Sequence, residues 1–214
     1  MFISLEGPEG SGKTTQARLL AEWLCQQGYE VILTREPGGT DIGDQIRAVL
    51  HDPHNTAMDA RTEILLYSAS RAQHVAQLIQ PALAAGSIVI SDRYADSTLA
   101  YQGYGRGLDL ETLRRITAFA TGGLRPDLAL YLDVPPQEGL QRKRSGGNEW
   151  NRLDAETLEF HQRARAGYLE LVKQEPQRWA VVEATRSIEE VQAEVRQVVQ
   201  ARLRRETQCV MRNA

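Results

Sequence analysis

The chain has 214 residues, about 1.4 times the ~150 residues of a typical domain, so we expect a single domain with room for a small insert. Its 42% hydrophobic and 25% charged residues are typical of a globular protein and exclude collagen, low-complexity disorder and a coiled coil. The 25 Lys and Arg residues against 28 Asp and Glu residues give a net charge of −3, which argues against a globally basic surface for a nucleic-acid polymer.

Short apolar runs alternate with longer helical patterns along the chain, which is typical of a βαβ architecture. Two of these runs, SIVIS and LALYL, are apolar on both faces, as the strands of a parallel sheet are. The predicted strands cover residues 2–5, 30–33, 87–91, 128–132 and 180–182.

Three helices are predicted from apolar spacing. The first covers residues 13–27 and ends at Gly28. The second covers residues 62–83, and its apolar stripe is expected to face the core: Leu65, Ala69, Ala72, Ala76, Ile79 and Leu83. The third begins at Ser187, which forms a capping box with Glu190, and its stripe is Ile188, Val191, Val195, Val198 and Leu203.

This pattern predicts an α/β fold with a doubly wound, five-stranded parallel sheet, whose ligand crevice lies at the carboxyl ends of the strands. We expect one domain over residues 1–206, a short polar insert at about 142–153, and a frayed tail over residues 207–214.

No apolar stretch approaches the ~20 residues that span a bilayer, and the opening MFISLEG lacks the charged start of a signal peptide. Cys25 and Cys209 are too few for a disulfide framework, so we expect a cytoplasmic protein without a membrane partner.

The strongest motif is a phosphate-binding loop of the form G-x-x-x-x-G-K-[ST], with a predicted strand before it and a helix after it. Its glycines allow backbone N–H groups to surround an anion, and the helix adds its positive N-terminal end. The lysine can reach the β- and γ-phosphates of ATP, and the threonine hydroxyl can bind Mg²⁺. The loop consists of Gly7, Pro8, Glu9, Gly10, Ser11, Gly12, Lys13 and Thr14.

Two carboxylates follow central strands and are candidates for a magnesium site. Asp92 is followed by Arg93, whose fork could bind a phosphate, although the two could also be a surface pair. Asp133 also ends a strand, but Pro135 and Pro136 follow it, so it could belong to the start of a helix. We rank Asp92 first.

Three further charged or aromatic groups have two interpretations each. Tyr67 and Arg71 share a helix face and could bind a flat base with carbonyl groups, or could be a core edge and a solvated surface residue. Arg35 and Glu36 either point into the crevice or belong to an ordinary Pro-Gly-Gly turn. The basic residues Arg142, Lys143, Arg144 and Arg152 could form a mobile lid or a solvated surface.

The four histidines have no metal-ligand spacing and are interpreted as structural or surface residues: His51, His54, His74 and His161.

Several functional classes remain after the loop is recognised. The strings N-K-x-D and D-x-x-G of a GTPase do not occur, and a repair or motor ATPase is usually larger or more basic. A kinase of small molecules fits a compact acidic domain with an arginine-bearing insert. The alternatives are a kinase for another small acceptor and a nucleotide-binding regulatory module without transfer activity.

The chain resembles the bacterial thymidylate kinases over nearly its whole length. The loop itself is shared by many proteins, whereas TREPGGT, together with DRY and the spaced YQG-x-GRG, is far more specific. The matching segments are GPEGSGKTT (7–15), TREPGGT (34–40), LLYSASRAQH (65–74), SDRYADSTLAYQGYGRG (91–107) and RPDLALYLDV (125–134). The resemblance implies a P-loop nucleoside monophosphate kinase that converts thymidine 5′-monophosphate (dTMP) to thymidine diphosphate with Mg-ATP, in dTTP synthesis for DNA replication.

The resemblance also implies roles for individual residues. On the acceptor base, Tyr67 would stack and Arg71 would hydrogen-bond a carbonyl group. Arg93, helped by Arg35, would hold the acceptor phosphate. Glu9 would lie near the deoxyribose 3′-OH, and Tyr101 would crowd the 2′ position. Thr98 and Gln102 fall on the same nucleotide-lining segment.

Some family members carry an arginine within the loop, where this chain has Gly10. Its absence implies the bacterial type, in which the insert supplies the arginine: Arg152, Arg142 or Arg144 here. The insert's GGNEW departs from the family pattern, so the choice among the three stays open. The resemblance further implies a homodimer that packs through helices on one face of the sheet, and the helix at 62–83 is apolar enough to serve.

Overall fold

The computed structural model describes residues 1–146 and 150–212, with side chains to residue 205 outside that gap. Five parallel strands form one sheet in the order β2-β3-β1-β4-β5. The strands are β1 (Phe2–Glu6), β2 (Val31–Arg35), β3 (Ile88–Asp92), β4 (Leu128–Asp133) and β5 (Trp179–Glu183). The predicted doubly wound α/β fold is confirmed, and each strand lies within two residues of its predicted bounds.

Helices lie on both faces of the sheet and connect its strands. Two of them continue into π-helical segments, Val75–Ile79 after α3 and Leu99–Gly105 after α5. The helices are α1 (Lys13–Gln26), α2 (Asp41–His51), α3 (Ala60–His74), α4 (Gln80–Ala84), α5 (Ala95–Thr98), α6 (Leu110–Thr121), α7 (Pro136–Ser145), α8 (Leu158–Gln174) and α9 (Ile188–Arg212).

Alternation along β1 divides the core between the two faces of the sheet. Ile3 and Leu5 pack with α1 and α9, in a cluster that includes Leu24 and Val195. Phe2 points to the other face and packs against Val75 and its neighbours. Because both faces are covered, the strands are buried on both sides, as the apolar runs predict.

The predicted core stripe of the long helix is wrong at three of its six positions. Leu65 is 58% exposed, and Ala69 and Ala76 are also exposed. The buried face carries Ile64 and Arg71 instead. Both faces offer small or apolar side chains at helical spacing, so periodicity alone cannot say which of them meets the sheet.

The last helix begins as predicted, because Ser187 and Glu190 form the capping box. The Ser187 backbone N–H donates to Glu190 Oε2 at 3.0 Å, and the Glu190 N–H donates to Ser187 Oγ at 3.3 Å. Of the residues in its predicted apolar stripe, Val191 and Val195 are buried, whereas Ile188 is 52% exposed.

The predicted frayed tail at 207–214 lies outside the described side chains, as do residues 147–149 of the insert. Among the described helices, none is long and apolar enough to cross a membrane.

Candidate functional site

A cavity of about 700 Å³ opens where β1, β2 and β3 end. Loop residues Glu9, Gly10, Gly12, Lys13 and Thr14 line it on one side, and Asp92 is also exposed to it. All seven residues predicted to contact the acceptor line it too: Arg35, Tyr67, Arg71, Arg93, Thr98, Tyr101 and Gln102. The fold therefore joins the two groups of predicted residues in one cavity.

The loop after β1 contains glycines where the backbone requires them. Gly10 and Gly12 have φ angles of 68° and 86°, which lie in the left-handed region. A Cβ on Gly10 would lie 1.9 Å from the carbonyl oxygen of Gly139, so the loop packs directly against α7. Since α1 begins at Lys13, the positive end of a helix lies beside the loop, which favours an anion there.

Lys13 is the buried cation of the loop. Its Nζ donates to the carbonyl oxygens of Gly7 at 3.1 Å and Pro8 at 2.7 Å, and to Ser11 Oγ at 3.2 Å. Burial, and then the charge of Arg93, lower the pKa of Lys13 to about 8. A phosphate beside Nζ would favour the charged form and raise this pKa again.

Thr14 and Asp92 form the pair of oxygen groups that a magnesium ion would need. Thr14 Oγ1 donates to Asp92 Oδ2 at 2.5 Å, which joins the first turn of α1 to the end of β3. Asp133 instead pairs with Arg165 at 2.7 Å and accepts from the Tyr131 hydroxyl at 3.0 Å. Of the two candidate carboxylates, Asp92 is therefore the one that the described residues place at the cavity, and Asp133 is not among the residues that line it.

Arg93 has an unusual backbone for its residue type, and its guanidinium bonds to the phosphate loop. Its φ of 71° is the only positive value among the described non-glycine residues, and such a conformation costs about 1–3 kcal/mol. The guanidinium donates to the Gly7 carbonyl at 3.0 Å and the Tyr101 hydroxyl at 3.3 Å, and it is ion-paired with Glu9. Strain of this kind is found where the surrounding structure fixes a residue for function.

Glu9 is surrounded by cations. Burial by itself would raise the pKa of Glu9, but Arg93, Lys13 and Lys143 together hold it well below its usual value. Lys143 Nζ lies 3.4 Å from Glu9 Oε2 and 2.6 Å from Asp154 Oδ2. The carboxylate of Glu9 therefore stays charged at neutral pH and connects the loop with the insert.

Glu6 is a neighbour of Arg93 that the sequence did not predict. Its buried carboxyl accepts from the Tyr94 N–H at 2.9 Å, Ser97 Oγ at 2.7 Å and the Tyr168 hydroxyl at 3.0 Å. Burial, followed by a neighbouring carboxylate, raises the pKa of Glu6 to about 8. The same two hydroxyls lie within 3.4 Å of the Arg93 guanidinium, so Glu6 supports that side chain. A charged residue inside the run FISLE was the available signal.

Arg71 is buried, so it is not the solvated surface residue of the second interpretation. Its Nε donates to Glu36 Oε2 at 2.7 Å, and one terminal nitrogen donates to Thr98 Oγ1 at 3.0 Å. Burial would lower the pKa of Arg71, but Glu36 raises it above its usual value. Tyr67 lies one turn before Arg71 on the same face of α3 and also lines the cavity. Arg35, at the end of β2, is half-exposed and pairs with Asp44.

Glu63 binds two of the predicted site residues. Its buried carboxylate accepts from Gln102 Nε2 at 2.8 Å, from Arg106 at 2.7 Å, and from Arg152. Arg152 also donates to the Leu50 carbonyl at 3.2 Å and is not among the described residues that line the cavity. Arg152 would have to exchange Glu63 for a phosphate in order to act in the cavity.

The other basic residues of the insert differ in position. Arg142 and Lys143 line the cavity, and Arg142 donates to the Ala184 carbonyl at 2.6 Å. Arg144 is exposed, with its guanidinium carbon 4.6 Å from the centre of the Trp150 ring.

Of the four histidines, His51 alone is among the described residues that line the cavity. Burial and the charge of Arg47 lower the pKa of His51 to about 3, so it is neutral at pH 7. His74 and His161 are buried, and His54 is exposed beside Asp52. The described residues contain no cluster of three or more His, Cys, Asp or Glu residues that could hold a metal.

Comparisons with known proteins agree with this geometry. A profile of the family described as thymidylate kinase matches residues 5–195. A thymidylate kinase of Roseiflexus castenholzii is 54% identical over 212 residues, covering 94% of this chain and 93% of its own. One of Bacillus pumilus is 50% identical over 206 residues, covering 96% and 97%.

A solved structure is also similar. The crystal structure of a thymidylate kinase from Ehrlichia chaffeensis matches with a TM-score of 0.77 and 34% identity, covering 93% of this chain and 98% of that one. The family profile, the relatives and the fold agree: the chain belongs to the thymidylate kinase family of ATP-dependent nucleoside monophosphate kinases.

Proposed function

We propose that the protein transfers the γ-phosphoryl group of Mg-ATP to dTMP within the cavity, which gives thymidine diphosphate for dTTP synthesis. The observation that carries the proposal is that one cavity contains both the phosphate loop and the seven candidate acceptor residues. In-line phosphoryl transfer requires mainly positioning and stabilisation of charge, and both follow from the residues around this cavity.

On the donor side, Lys13 and the loop N–H groups bind the phosphates of ATP. Thr14 and Asp92 would hold the magnesium ion, directly or through water, since both are oxygen ligands and they touch at 2.5 Å. When bound, the ion neutralises charge on the transferring phosphoryl group.

On the acceptor side, Tyr67 stacks on the base, Arg71 hydrogen-bonds a base carbonyl, and Tyr101 crowds the 2′ position of the sugar. Arg93 holds the acceptor phosphate and offsets the repulsion between two anionic substrates. Glu9 keeps the Arg93 guanidinium in place through their ion pair and lies near the sugar.

The insert contributes further positive charge. Arg142 and Lys143 already line the cavity, whereas Arg152 acts only after it exchanges Glu63 for a phosphate. Either contribution would stabilise the transferring group and keep water from it.

The direct test is ADP release from Mg-ATP with dTMP, compared with the monophosphates of uridine, cytidine, adenosine and guanosine, and with thymidine itself. We expect a strong preference for dTMP. A preference for another acceptor would retain the donor chemistry but overturn the roles of Tyr67, Arg71 and Tyr101. Tight nucleotide binding without acceptor-dependent release would indicate a regulatory module.

We further propose that the protein is a homodimer. Helices α2, α3 and α6 pack side by side and expose large apolar side chains on their outer surface: Ile42, Val49, Leu65 and Phe119. Phe119 is 93% exposed, and an apolar face of this extent favours a partner.

Replacing Phe119 by glutamate is expected to convert the dimer to a monomer, because the charge would be buried unpaired at the interface. Light scattering after gel filtration should change from twice 23.9 kDa to 23.9 kDa. Tyr29→Glu, at an exposed aromatic residue that lies outside these three helices, between α1 and β2, is the control and should remain dimeric. A wild-type mass of 23.9 kDa would contradict the dimer.

A further inference from the structure

Glu36, in the segment TREPGG, forms a buried ion pair with Arg71 beside the cavity. Glu36 Oε2 accepts from Arg71 Nε at 2.7 Å, and both side chains are almost completely buried. The two residues belong to different elements, because Glu36 follows β2 and Arg71 lies on α3. This contact therefore fixes the guanidinium relative to the sheet as well as to its own helix.

A second layer of contacts holds the carboxylate itself. Glu36 Oε1 lies 3.1 Å from His74 Nδ1, and His74 Nε2 lies 2.7 Å from Thr34 Oγ1. The chain of contacts Thr34–His74–Glu36–Arg71 is buried throughout. Gly39 packs against it, since a Cβ there would lie 2.6 Å from Thr34 Oγ1 and 2.8 Å from His74 Nε2.

The donor count of Arg71 shows what this arrangement leaves for a ligand. A guanidinium has five N–H groups and no acceptor. Glu36, Thr98 Oγ1 at 3.0 Å and the Tyr94 carbonyl at 3.3 Å take three of them among the described residues. Two N–H groups remain, on a side chain that lines the cavity.

We propose that Glu36, supported by His74 and Thr34, is a positioning residue that determines acceptor specificity by fixing the Arg71 fork. A guanidinium held in one orientation presents only N–H donors. It can therefore bind a base carbonyl but not an amino group at the same position, because two donors would then face each other without an acceptor. The proposal rests on the proposed function, in which Arg71 reads the base. It adds the reason that this arginine discriminates, namely that its orientation is set before the substrate arrives.

The test measures steady-state kinetics of the wild type, E36Q, R71K and the double variant, with dTMP and with deoxycytidine monophosphate, which has an amino group where thymine has a carbonyl. E36Q removes the charge but keeps the shape. We expect it to raise KM for dTMP about 10- to 100-fold, as loss of a charge-assisted hydrogen bond implies, while KM for ATP and kcat stay close to wild type. The preference for dTMP over deoxycytidine monophosphate should shrink.

Controls separate positioning from general damage. Glu175 forms ion pairs with Arg178 at 2.9 Å and with Arg125 at 2.6 Å, and none of the three is among the described residues lining the cavity. E175Q therefore removes a carboxylate from an arginine pair away from the cavity and should leave KM for dTMP unchanged. If Glu36 acts through Arg71, E36Q adds little in the R71K background. If E36Q fails to fold, E36D keeps the charge, shifts the fork and should give the same separation of the two KM values.

The outcomes are distinguishable. A wild-type enzyme with no preference for dTMP would overturn the proposed function. A wild type that prefers dTMP, with a folded E36Q or E36D variant of unchanged KM and unchanged acceptor preference, would overturn the role of Glu36 alone. A loss shared by E175Q, or full additivity with R71K, would also overturn it.

Discussion

Replacing Arg93 by alanine is expected to lower kcat/KM for dTMP by about 10³-fold while ATP binding stays close to wild type. The guanidinium lines the cavity, bonds to the carbonyl of Gly7 and is ion-paired with Glu9, so under the proposed function it lies where the acceptor phosphate would meet the phosphate loop. Alanine would also remove the largest attraction that keeps Glu9 ionised. The acceptor phosphate would then approach a region richer in negative charge.

Initial rates with each substrate varied in turn, together with calorimetry of a non-hydrolysable ATP analogue, separate the two effects. Arg93→Lys keeps the charge but not the two-pronged fork, so its activity should fall between those of wild type and alanine. Both substitutions keep a side chain at a φ of 71°, so backbone strain does not distinguish them. Unchanged turnover of dTMP by the alanine variant would remove Arg93 from the acceptor site.

Much of the fold could be predicted because its signals are local. A strand–loop–helix motif fixed by glycines, and apolar runs buried on both faces, need no knowledge of distant residues. The outer stripe of α3 is a counter-example. Leu65 and Ala69 repeat at helical spacing as a core stripe would, yet they face outward because the polar face that carries Arg71 turns toward the cavity. Which face is buried depends on what the other elements present to it.

The site shows the same limit. Asp92 and Arg93 could be ranked from their place after a central strand, because parallel strands bring their carboxyl ends to one edge. The partners of the site residues could not be ranked in this way. Arg71 with Glu36, and Arg152 with Glu63, are 35 and 89 residues apart, and each pair is set by tertiary packing. The sequence thus predicted the residues that line the cavity better than the residues that hold their side chains in place.

Replacing Lys13 by methionine is expected to lower kcat by about 10²–10³-fold, because the variant keeps the aliphatic stem but loses the charge beside the phosphates. It should also weaken ATP binding, which distinguishes it from the Arg93 variant. Acceptor-dependent ADP release and calorimetry with the ATP analogue measure both. Wild-type rates in the methionine variant would exclude Lys13 from the transfer step.

Lys13 is also expected to make the free energy of unfolding depend on pH. The folded-state pKa of about 8 lies below the ~10.4 of an unfolded lysine, so the unfolded chain binds more protons between these values. The free energy of unfolding of the ligand-free protein therefore rises with pH over that interval, by about 3 kcal/mol in full. Glu6, whose raised pKa of about 8 has the opposite effect, lowers the free energy of unfolding as pH rises, mainly below pH 8, and is present in both proteins. Denaturant unfolding from pH 8 to 9.5 should show the rise in wild type and lose it in Lys13→Met.

Nucleotide binding should reverse the shift. Phosphates beside Nζ favour the charged lysine, so the protein should take up protons when it binds the ATP analogue near pH 8.5, where free Lys13 is largely neutral. Calorimetry in buffers of different ionisation enthalpy counts these protons. The Lys13→Met variant is the comparison, measured at analogue concentrations high enough to saturate it despite its weaker affinity. It should take up fewer protons than the wild type, and the difference is the number of protons bound by Lys13. Equal uptake in the two proteins, together with no rise of stability above pH 8, would mean that Lys13 is already charged in the free enzyme, since both effects depend on the same buried amine.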